Sequence, residues 1–464
     1  MKKRLLTLTV VAAAFAVNIA AEVGGIDADM LGRLKASFVN SPQDKALRNA
    51  MNGIEIDKLA ANADAPNSFS TDFSDRVESK GITNQKNSGR CWLFTGQNVL
   101  RSQMMKKHDL PELYLSQNYN FFFDQLEKAN LFLQAIINTA DREESDRTVD
   151  WLFQHPLSDG GQYTGVSENF MKYGVIPAEV MRETNSSNNT TRINSLISLR
   201  LREDGLKLRR MKAEGMSQEA LMKEKEEMLK TVYRMLALTM GEPPTEFTWT
   251  RKNSKGEVVS TKTYTPQSFY KEFAGQDLKN DYVMLMNDPS REFYKLYEID
   301  LDRHAFDAGN WKFINLPVED IKKMAISSIK DGKMMYFSCD VGKFLDRERG
   351  VLDVDNYDYE SLFGTTFGMD KAERIRTHAS ASSHAMTLVA VDIDKDGKPT
   401  KWMVENSWGP GANDGHLIMT DKWFDEYMFR LVVDKKYVPA EILKILNQTP
   451  TLLPAWDPLY LDKD

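Results

Sequence analysis

Residues 83–94 read TNQKNSGRCWLF, and Cys91 within them is one of only two cysteines in the 464-residue chain. A polar turn that contains glycine runs here into an apolar stretch, which predicts a helix from Cys91 to about Lys107. A thiol at the amino end of a helix lies at the positive end of the helix dipole, which favours the nucleophilic thiolate. Gln85 can direct its amide N–H to the same place and stabilise a developing oxyanion. The alternative is a buried cysteine at a helix start, as most free cysteines are.

A base, and a residue that orients the base, are predicted late in the chain, because a catalytic thiol needs both. His384 precedes one segment rich in β-branched residues, and Asn406 follows the next such segment. A turn at 394–398 would join the two strands in a hairpin and bring the imidazole and the amide together at one sheet edge. The amide oxygen would then fix the tautomer of the imidazole. Trp408 would shield this hydrogen bond from water, or it would serve as an ordinary core aromatic.

Besides His384, the chain has five histidines. One of them is a second candidate for the catalytic base, and the other four have no obvious partner. The competitor is His378, but no strand follows it, so His384 is preferred strongly. His416 is expected to serve in packing. A surface or capping role is expected for the histidines that show no metal-site spacing with Asp, Glu or Cys: His108, His155 and His304.

These motifs together resemble those of the papain-like cysteine peptidases: Cys-Trp at a helix start, His-Ala-Met before a strand, and Asn-Ser-Trp-Gly after the next strand. The form Gln-x-x-Ser-Gly-Arg-Cys-Trp is similar to the bleomycin hydrolase and aminopeptidase C branch. In the cathepsins a further cysteine stands where this chain has Ser88. Similarity to the same branch extends over nearly the whole chain after the leader, through the segments 98–101, 159–162, 172–177, 241–244, 339–343 and 371–374.

The resemblance implies an α+β, papain-like fold of two lobes, one helical and one resembling an antiparallel β-barrel, with a helical insertion. His384 follows Cys91 at about twice the spacing expected of papain and the cathepsins, so a segment must be inserted between them. Aromatic and apolar alternation predicts barrel strands at Tyr264–Phe273, 283–285 and 334–337. The predicted parts are a signal peptide at 1–21, an arm at 22–70, the helical lobe at 71–192, a helical hook at 193–245, the β-rich lobe at 246–449 and a tail at 450–464.

The resemblance also bears on three further features: the hook, the pair Gly160 and Gly161, and the tail. The hook builds a homohexamer in the relatives, although a helical pair can equally be a lid or an intramolecular brace. Gly160 and Gly161 have no side chains to block an extended peptide, and a plain tight turn is the alternative. In the relatives a tail enters the cleft and its terminal carboxylate, here that of Asp464, pairs with the free amine of the substrate. Otherwise the tail is a docked strap.

Composition limits the partners of the protein. A formal charge of −7 and a pI near 5.6 argue against a surface that attracts nucleic acid. The amino terminus combines a positive start, an apolar stretch too short to span a bilayer and a small-residue end, which predicts a secretory signal removed after Ala21 or nearby. The mature protein is therefore expected to be secreted or periplasmic, without a membrane anchor. Cys339 is expected to lie buried in a strand and not to pair with Cys91.

The expected activity is peptide hydrolysis through a thioester at Cys91, with His384 as base and acid, Asn406 as its orienting partner and Gln85 as oxyanion donor. This chemistry requires no metal and no organic cofactor. A tail that enters the cleft, as in the relatives, favours aminopeptidase activity. Alternatives are a cysteine endopeptidase, an amidase that acts on modified amides with the same residues, and a homo-oligomeric scaffold without catalysis.

Overall fold

A computed structural model describes residues 24–66 and 69–459, which fall into two compact units divided after Ala61. The predicted signal peptide and Tyr460–Asp464, including Asp464, lie outside the described residues. The described part of the first unit contains three helices: α1 Ala28–Ser37, α2 Pro42–Met51 and α3 Ile56–Ala60. Asp27 caps α1 and Ser41 caps α2 through side-chain oxygens that accept backbone N–H groups. The predicted arm at 22–70 therefore spans the division, since residues 62–66 and 69–70 belong to the second unit.

The second unit begins with a group of helices that share one apolar core. They are α4 Cys91–His108, α5 Gln117–Asn138, α6 Arg147–Gln154, α7 Tyr163–Tyr173, α8 Asn185–Asn188, α9 Thr190–Ala213 and α10 Gln218–Met240. The helices α9 and α10 occupy most of the segment predicted as a hook. Both pack on α5, and Ser217 caps α10 as its sequence predicts. Gly241 ends α10 with a φ of 87°, a value that L side chains rarely adopt.

The rest of the second unit is dominated by β-structure. Its strands, with one that precedes the helices, are β1 Asp75–Arg76, β2 Phe247–Lys252, β3 Val258–Tyr264, β4 Tyr282–Met286, β5 Lys295–Ile299, β6 Lys312–Asn315, β7 Met335–Cys339, β8 Leu345–Asp346, β9 Val351–Leu352, β10 His384–Ile393, β11 Pro399–Glu405, β12 His416–Thr420, β13 Met428–Asp434 and β14 Thr451–Leu453. The strands β2 and β3 form a separate hairpin. The other twelve form one sheet in the order β14-β5-β6-β4-β13-β7-β10-β11-β12-β9-β8, with β1 paired to β10.

This sheet is mostly antiparallel, and three of its pairs are parallel: β4 with β6, β5 with β14, and β9 with β12. Its central strands are buried in a second apolar core. Of the shorter helices, α12 Val318–Lys330 and α15 Asp421–Tyr427 pack on this sheet, and α11 Pro266–Phe273 packs against the helical core. The others are α13 Tyr359–Phe363, α14 Lys371–Arg376 and α16 Ala440–Leu443. No helix within the described ranges is long and apolar enough to span a bilayer.

One predicted strand is wrong. The segment Tyr264–Phe273 continues β3 only at Tyr264 and then forms helix α11. Thr265 caps this helix by accepting the N–H of Ser268, and Pro266 occupies the first turn, where its missing N–H costs nothing. The aromatic residues that suggested a strand lie three and four positions apart and are buried together, which is the spacing of one helix face. The strands predicted at 283–285 and 334–337 are confirmed as parts of β4 and β7.

Candidate active site

Backbone hydrogen bonds join the turn before Cys91 to the segment after Asn406. Gln85 donates its N–H to the carbonyl of Ser407 at 2.7 Å, and Gly409 donates its N–H to the carbonyl of Thr83 at 3.0 Å. These bonds connect segments more than 300 positions apart, since Gln85 and Ser407 are separated by 322 positions. The turn before Cys91, residues 83–90, is called the nucleophile turn. Together with the end of the β10–β11 hairpin it forms one wall of the site.

Cys91 is the first residue of α4, as the sequence predicts. Its side chain is half-buried and forms no disulfide. The turn before it is fixed by Asp159, whose carboxylate accepts the N–H of Gly89 at 2.7 Å. A Cβ on Gly89 would lie 2.4 Å from this carboxylate, so only glycine fits here. The thiol thus lies at the positive end of a long helix, on a turn with little freedom to move.

Cys91, Gln85 and His384 line one pocket of about 120 Å³. Cys91 begins α4, Gln85 lies in the nucleophile turn and His384 begins β10. Further lining residues are Gly89, Gly160, Gly161, Gln162, Tyr336, Ser338, Ser382, Ser383, Ala385 and Arg430. The structure therefore brings together the thiol, the imidazole and the oxyanion donor that the sequence suggested separately.

His384 and Asn406 are hydrogen-bonded across the β10–β11 hairpin. The hairpin is present as predicted, with the turn at 394–398 between antiparallel strands. His384 Nε2 lies 2.8 Å from Asn406 Oδ1, and the same oxygen accepts the backbone N–H of Ser407 at 2.8 Å. Because a carbonyl oxygen only accepts, Nε2 carries the proton and Nδ1 is left as the basic nitrogen.

The surroundings of His384 are apolar and aromatic. The ring of Trp408 lies 4.8 Å from that of His384, centroid to centroid, and packs against the imidazole. Burial lowers the pKa of His384 to about 4; the hydrogen bond with Asn406 opposes this shift and Arg347 adds to it. Burial therefore favours the neutral imidazole, which can accept the thiol proton through Nδ1.

Gln85 is held in one orientation by two hydrogen bonds. Its Oε1 accepts the hydroxyl of Ser407 at 2.6 Å, and its Nε2 donates to the carbonyl of Ser88 at 2.6 Å. An amide nitrogen carries two N–H groups, so one donor is left for the pocket. Ser407, which follows Asn406, is a positioning residue that the sequence analysis missed, although its place in the Asn-Ser-Trp-Gly motif was visible.

Gly160 and Gly161 also line this pocket, next to Gln162. The side-chain oxygen of Gln162 accepts a hydrogen bond from Arg430, and Arg430 Nη2 donates to the carbonyl of Leu459 at 2.5 Å. Leu459 is the last described residue of the tail and is buried. The described tail therefore ends at an arginine that lines the pocket.

A buried ion pair between the two lobes was not predicted. Arg101 of α4 lies 3.3 Å from the carboxylate of Glu405, the residue before Asn406, and both side chains are almost fully buried. Arg101 also donates to the carbonyls of Lys80 and Gly81. The pair fixes the nucleophile helix against the strand that carries Asn406. A charged residue inside the apolar stretch of α4 was the available signal, but its partner is distant in the sequence.

The expected surface or capping role is wrong for His304. Its ring is buried, and its Nδ1 lies 2.5 Å from Asp124, which is also buried. The ring packs edge-on against Trp92 at 4.7 Å. The expectations for His416 and Cys339 agree with the structure. His416 is buried, and its ring is hydrogen-bonded to Ser79. Cys339 is buried in β7, where burial raises the pKa of its thiol well above the usual range.

Comparison with known proteins is consistent with this geometry. A family model described as Peptidase C1-like family matches residues 25–460. Bleomycin hydrolase from Homo sapiens is 39% identical over 392 residues, which cover 82% of this chain and 86% of the relative. Aminopeptidase G from Lactobacillus delbrueckii subsp. lactis is 38% identical over 430 residues, covering 92% of this chain and 98% of the relative.

A solved structure of PepW from Lactobacillus rhamnosis HN001 superimposes with a TM-score of 0.90 at 36% sequence identity, and the match covers 94% of this chain and 99% of PepW. The predicted α+β, papain-like fold is thereby confirmed. The chain belongs to the Peptidase C1-like family, in the bleomycin hydrolase and aminopeptidase C branch of the papain-like cysteine peptidases.

Proposed function

We propose that this protein is a cysteine-type aminopeptidase that releases amino acids from peptides through a thioester at Cys91. The observation that carries this proposal is the shared pocket of Cys91, His384 and Gln85, with Asn406 bonded to the far nitrogen of the imidazole. A nucleophile, a base oriented by a third group and a separate oxyanion donor are the parts that acyl transfer needs.

In the first half of the reaction, His384 Nδ1 takes the proton of the Cys91 thiol, and the thiolate attacks the scissile carbonyl carbon. The oxyanion that forms accepts hydrogen bonds from the free N–H of Gln85 and from the backbone N–H of Cys91. The C–N bond then breaks as His384 donates its proton to the departing amine, which leaves a thioester.

In the second half, His384 removes a proton from water, and the hydroxide attacks the thioester carbonyl. The C–S bond breaks, the sulfur recovers its proton and the carboxylic acid leaves. Asn406 accepts the Nε2–H throughout and stabilises the imidazolium that forms twice in the cycle. Burial of His384 favours return to the neutral ring, which keeps the imidazolium a short-lived state.

The preference for amino termini is assigned to the tail. Arg430 lines the pocket and binds the carbonyl of Leu459, and Arg291 forms an ion pair with Asp457 at 2.5 Å two residues earlier. These contacts hold Leu459, the described end of the tail, at an arginine that lines the pocket, and Tyr460–Asp464 follow it in the chain. A carboxylate of this segment, that of Asp464 in our proposal, pairs with the free α-ammonium of the substrate and occupies the subsites beyond the first residue.

Removal of Tyr460–Asp464 is therefore expected to lower kcat/KM for an aminoacyl arylamide by about thirtyfold or more, because loss of one partner of a desolvated charge pair costs about 2 kcal/mol or more. Cleavage of an internally quenched peptide with a blocked amino terminus should increase in the same variant. Both rates are measured by fluorescence.

Lys463→Ala is the matched control, since it alters the same segment but leaves its carboxylates in place. This variant should keep kcat/KM within about threefold, because the proposed partner of the substrate ammonium is a carboxylate and not this lysine. Unchanged aminopeptidase kinetics in the truncated protein would refute the role of the tail. The two substrates also distinguish this activity from that of an endopeptidase.

We also propose that the hook helices α9 and α10 assemble the chain into a homohexamer. Their exposed leucines support this, with Leu199 at 64% and Leu238 at 71% exposure. Light scattering should give the mass of six 53.0 kDa chains. Leu199→Glu together with Leu238→Glu should lower that mass, because a charge is costly at an apolar contact. Leu452→Glu, at an equally exposed leucine outside the hook, is the control. A wild-type protein that has the mass of one chain would favour the intramolecular brace.

Export is proposed from the leader alone. Protein recovered from the periplasm or medium of its natural host should begin at or near Glu22, as read by amino-terminal sequencing. Full-length protein confined to the cytosol would contradict export. With Cys339 buried, Cys91 is the thiol that an oxidising compartment can reach, so a reductant should raise the activity of the isolated enzyme.

A further inference from the structure

A largely buried lysine lies behind the wall of the pocket that carries Gly160 and Gly161. Lys128 of α5 directs its ammonium group at three oxygens: the carbonyl of Ser158 at 3.0 Å, the carbonyl of Gly160 at 2.6 Å and the carboxylate of Asp124 at 2.9 Å. An ammonium group has three N–H donors, so these acceptors match its full capacity. Lys128 therefore fixes two alternate carbonyls of the run 158–162.

His304 holds the next part of the same run. Its Nδ1 donates to Asp124 at 2.5 Å, and its Nε2 accepts the backbone N–H of Gln162 at 3.4 Å. Burial raises the pKa of Asp124, but Lys128 and His304 outweigh this and hold the pKa below its usual value. The carboxylate of Asp124 is thus charged. It connects Lys128 and His304, which both form hydrogen bonds with the backbone of the segment 158–162.

His304 also explains why glycine is needed along this wall. A Cβ on Gly161 would lie 2.3 Å from His304 Cε1, and a Cβ on Gly165 would lie 2.2 Å from the same atom. The ring thus fills the space where side chains would stand. The backbone of Gly161 can approach the pocket closely because the imidazole supports it from behind.

Gly161 is the residue of this run whose backbone groups face no recorded partner. Its neighbours are used: the Gly160 carbonyl by Lys128, and the Gln162 N–H by His304. Among residues 24–66 and 69–459, no hydrogen bond is recorded for the N–H or the C=O of Gly161. Gly161 lines the pocket with Cys91, so its one donor and one acceptor are available there to a peptide backbone.

We propose that Lys128, Asp124 and His304 are positioning residues, which hold the segment Gly160–Gln162 in the conformation that binds the backbone or the free amine of the substrate. This inference rests on the proposed function and extends it to residues behind the site. The cluster acts on substrate binding and not on the reactivity of the thiol.

The test compares binding with thiol reactivity in the full-length enzyme. Lys128→Met keeps an unbranched side chain, one atom shorter, and removes the three donors. It is expected to raise KM for an aminoacyl arylamide by about tenfold or more with kcat within about threefold, because a loosened segment loses uniform binding. Its second-order rate of alkylation by iodoacetamide should equal that of the wild type, since this small reagent needs only the thiolate.

Lys322→Met is the matched control. Lys322 is as buried as Lys128, with 10% and 11% of the side chains exposed, and it pairs with Asp421 at 2.7 Å, outside the residues that line the pocket. The control should keep the wild-type KM. It removes a buried ammonium group from an ion pair, so it measures the general cost of that change to the fold.

Two variants of His304 test the hydrogen bonds themselves. His304→Gln retains one donor for Asp124 and one acceptor for Gln162, and it should keep KM within about threefold. His304→Leu removes both and should raise KM as Lys128→Met does. A thermal unfolding curve for each variant confirms that the protein measured is folded.

Three outcomes would overturn the inference: a wild-type KM in folded Lys128→Met, an equal rise of KM in Lys322→Met, or a fall of the alkylation rate in parallel with kcat/KM. The last would mean that the cluster acts through Trp92 on the neighbouring thiol. Failure of the proposed function is separately visible, because the wild-type enzyme would then not hydrolyse the arylamide at all.

Discussion

Cys91→Ala is expected to abolish hydrolysis, with kcat for an aminoacyl arylamide lower by a factor of about 10⁴ or more, since loss of a covalent nucleophile leaves only binding and oxyanion stabilisation. Alanine keeps the start of α4 and removes only the sulfur atom, so the fold should persist. The measurement is amino acid release from a peptide panel at high enzyme concentration.

Cys339→Ala is the matched control, because it removes the thiol of the other cysteine from a buried strand. It should keep kcat/KM within about threefold, at a small cost in stability from the cavity that it leaves. Iodoacetamide should label one cysteine per folded chain in this variant and in the wild type, and none in Cys91→Ala. Residual hydrolysis in Cys91→Ala at more than a trace would undo the assignment.

Gln85→Ala should lower kcat by about 10² to 10³ with little change in KM, the usual effect of removing one oxyanion donor. The reason is that the free N–H of Gln85 gains its full hydrogen bond only when the carbonyl oxygen becomes charged. Alkylation of Cys91 by iodoacetamide forms no oxyanion, so its rate should stay at the wild-type value. Stopped-flow or steady-state kinetics and the alkylation rate together separate the two roles.

Ser407→Ala provides a graded comparison for Gln85. The hydroxyl of Ser407 bonds to Gln85 Oε1 at 2.6 Å, and its loss frees the amide to rotate without removing it. A fall in kcat of about tenfold is expected from one lost hydrogen bond. A Gln85→Ala enzyme with a wild-type kcat would contradict the oxyanion role, as would an equal loss of alkylation, which would point to a distorted nucleophile turn.

Local sequence was sufficient for the parts of the site that lie on single elements. Cys91 at a helix start and the hairpin between His384 and Asn406 follow from short patterns, and both are present. The helix at Pro266–Phe273 was missed because its closely spaced aromatics fit a strand as well as a helix face. There the capping residue Thr265 and the proline after it were the better guides.

The supporting residues were not predictable, because their partners are distant in the chain. Asp124 and His304 are separated by 180 positions, and Arg101 and Glu405 by 304. Each pair is charged or polar and buried, and only the fold shows which partner compensates it. Residues that look like solvated surface groups in the sequence are therefore those that fix the pocket walls.

The bonds between 83–85 and 407–409 have a consequence for the newly made protein. The ribosome produces the thiol early, and the imidazole, the carboxamide and Ser407 emerge only near the end of translation. A growing chain therefore holds its sulfur without a base to ionise it. Proteolytic competence arrives only with the last stretch of polypeptide, which carries the base and the residues that orient it.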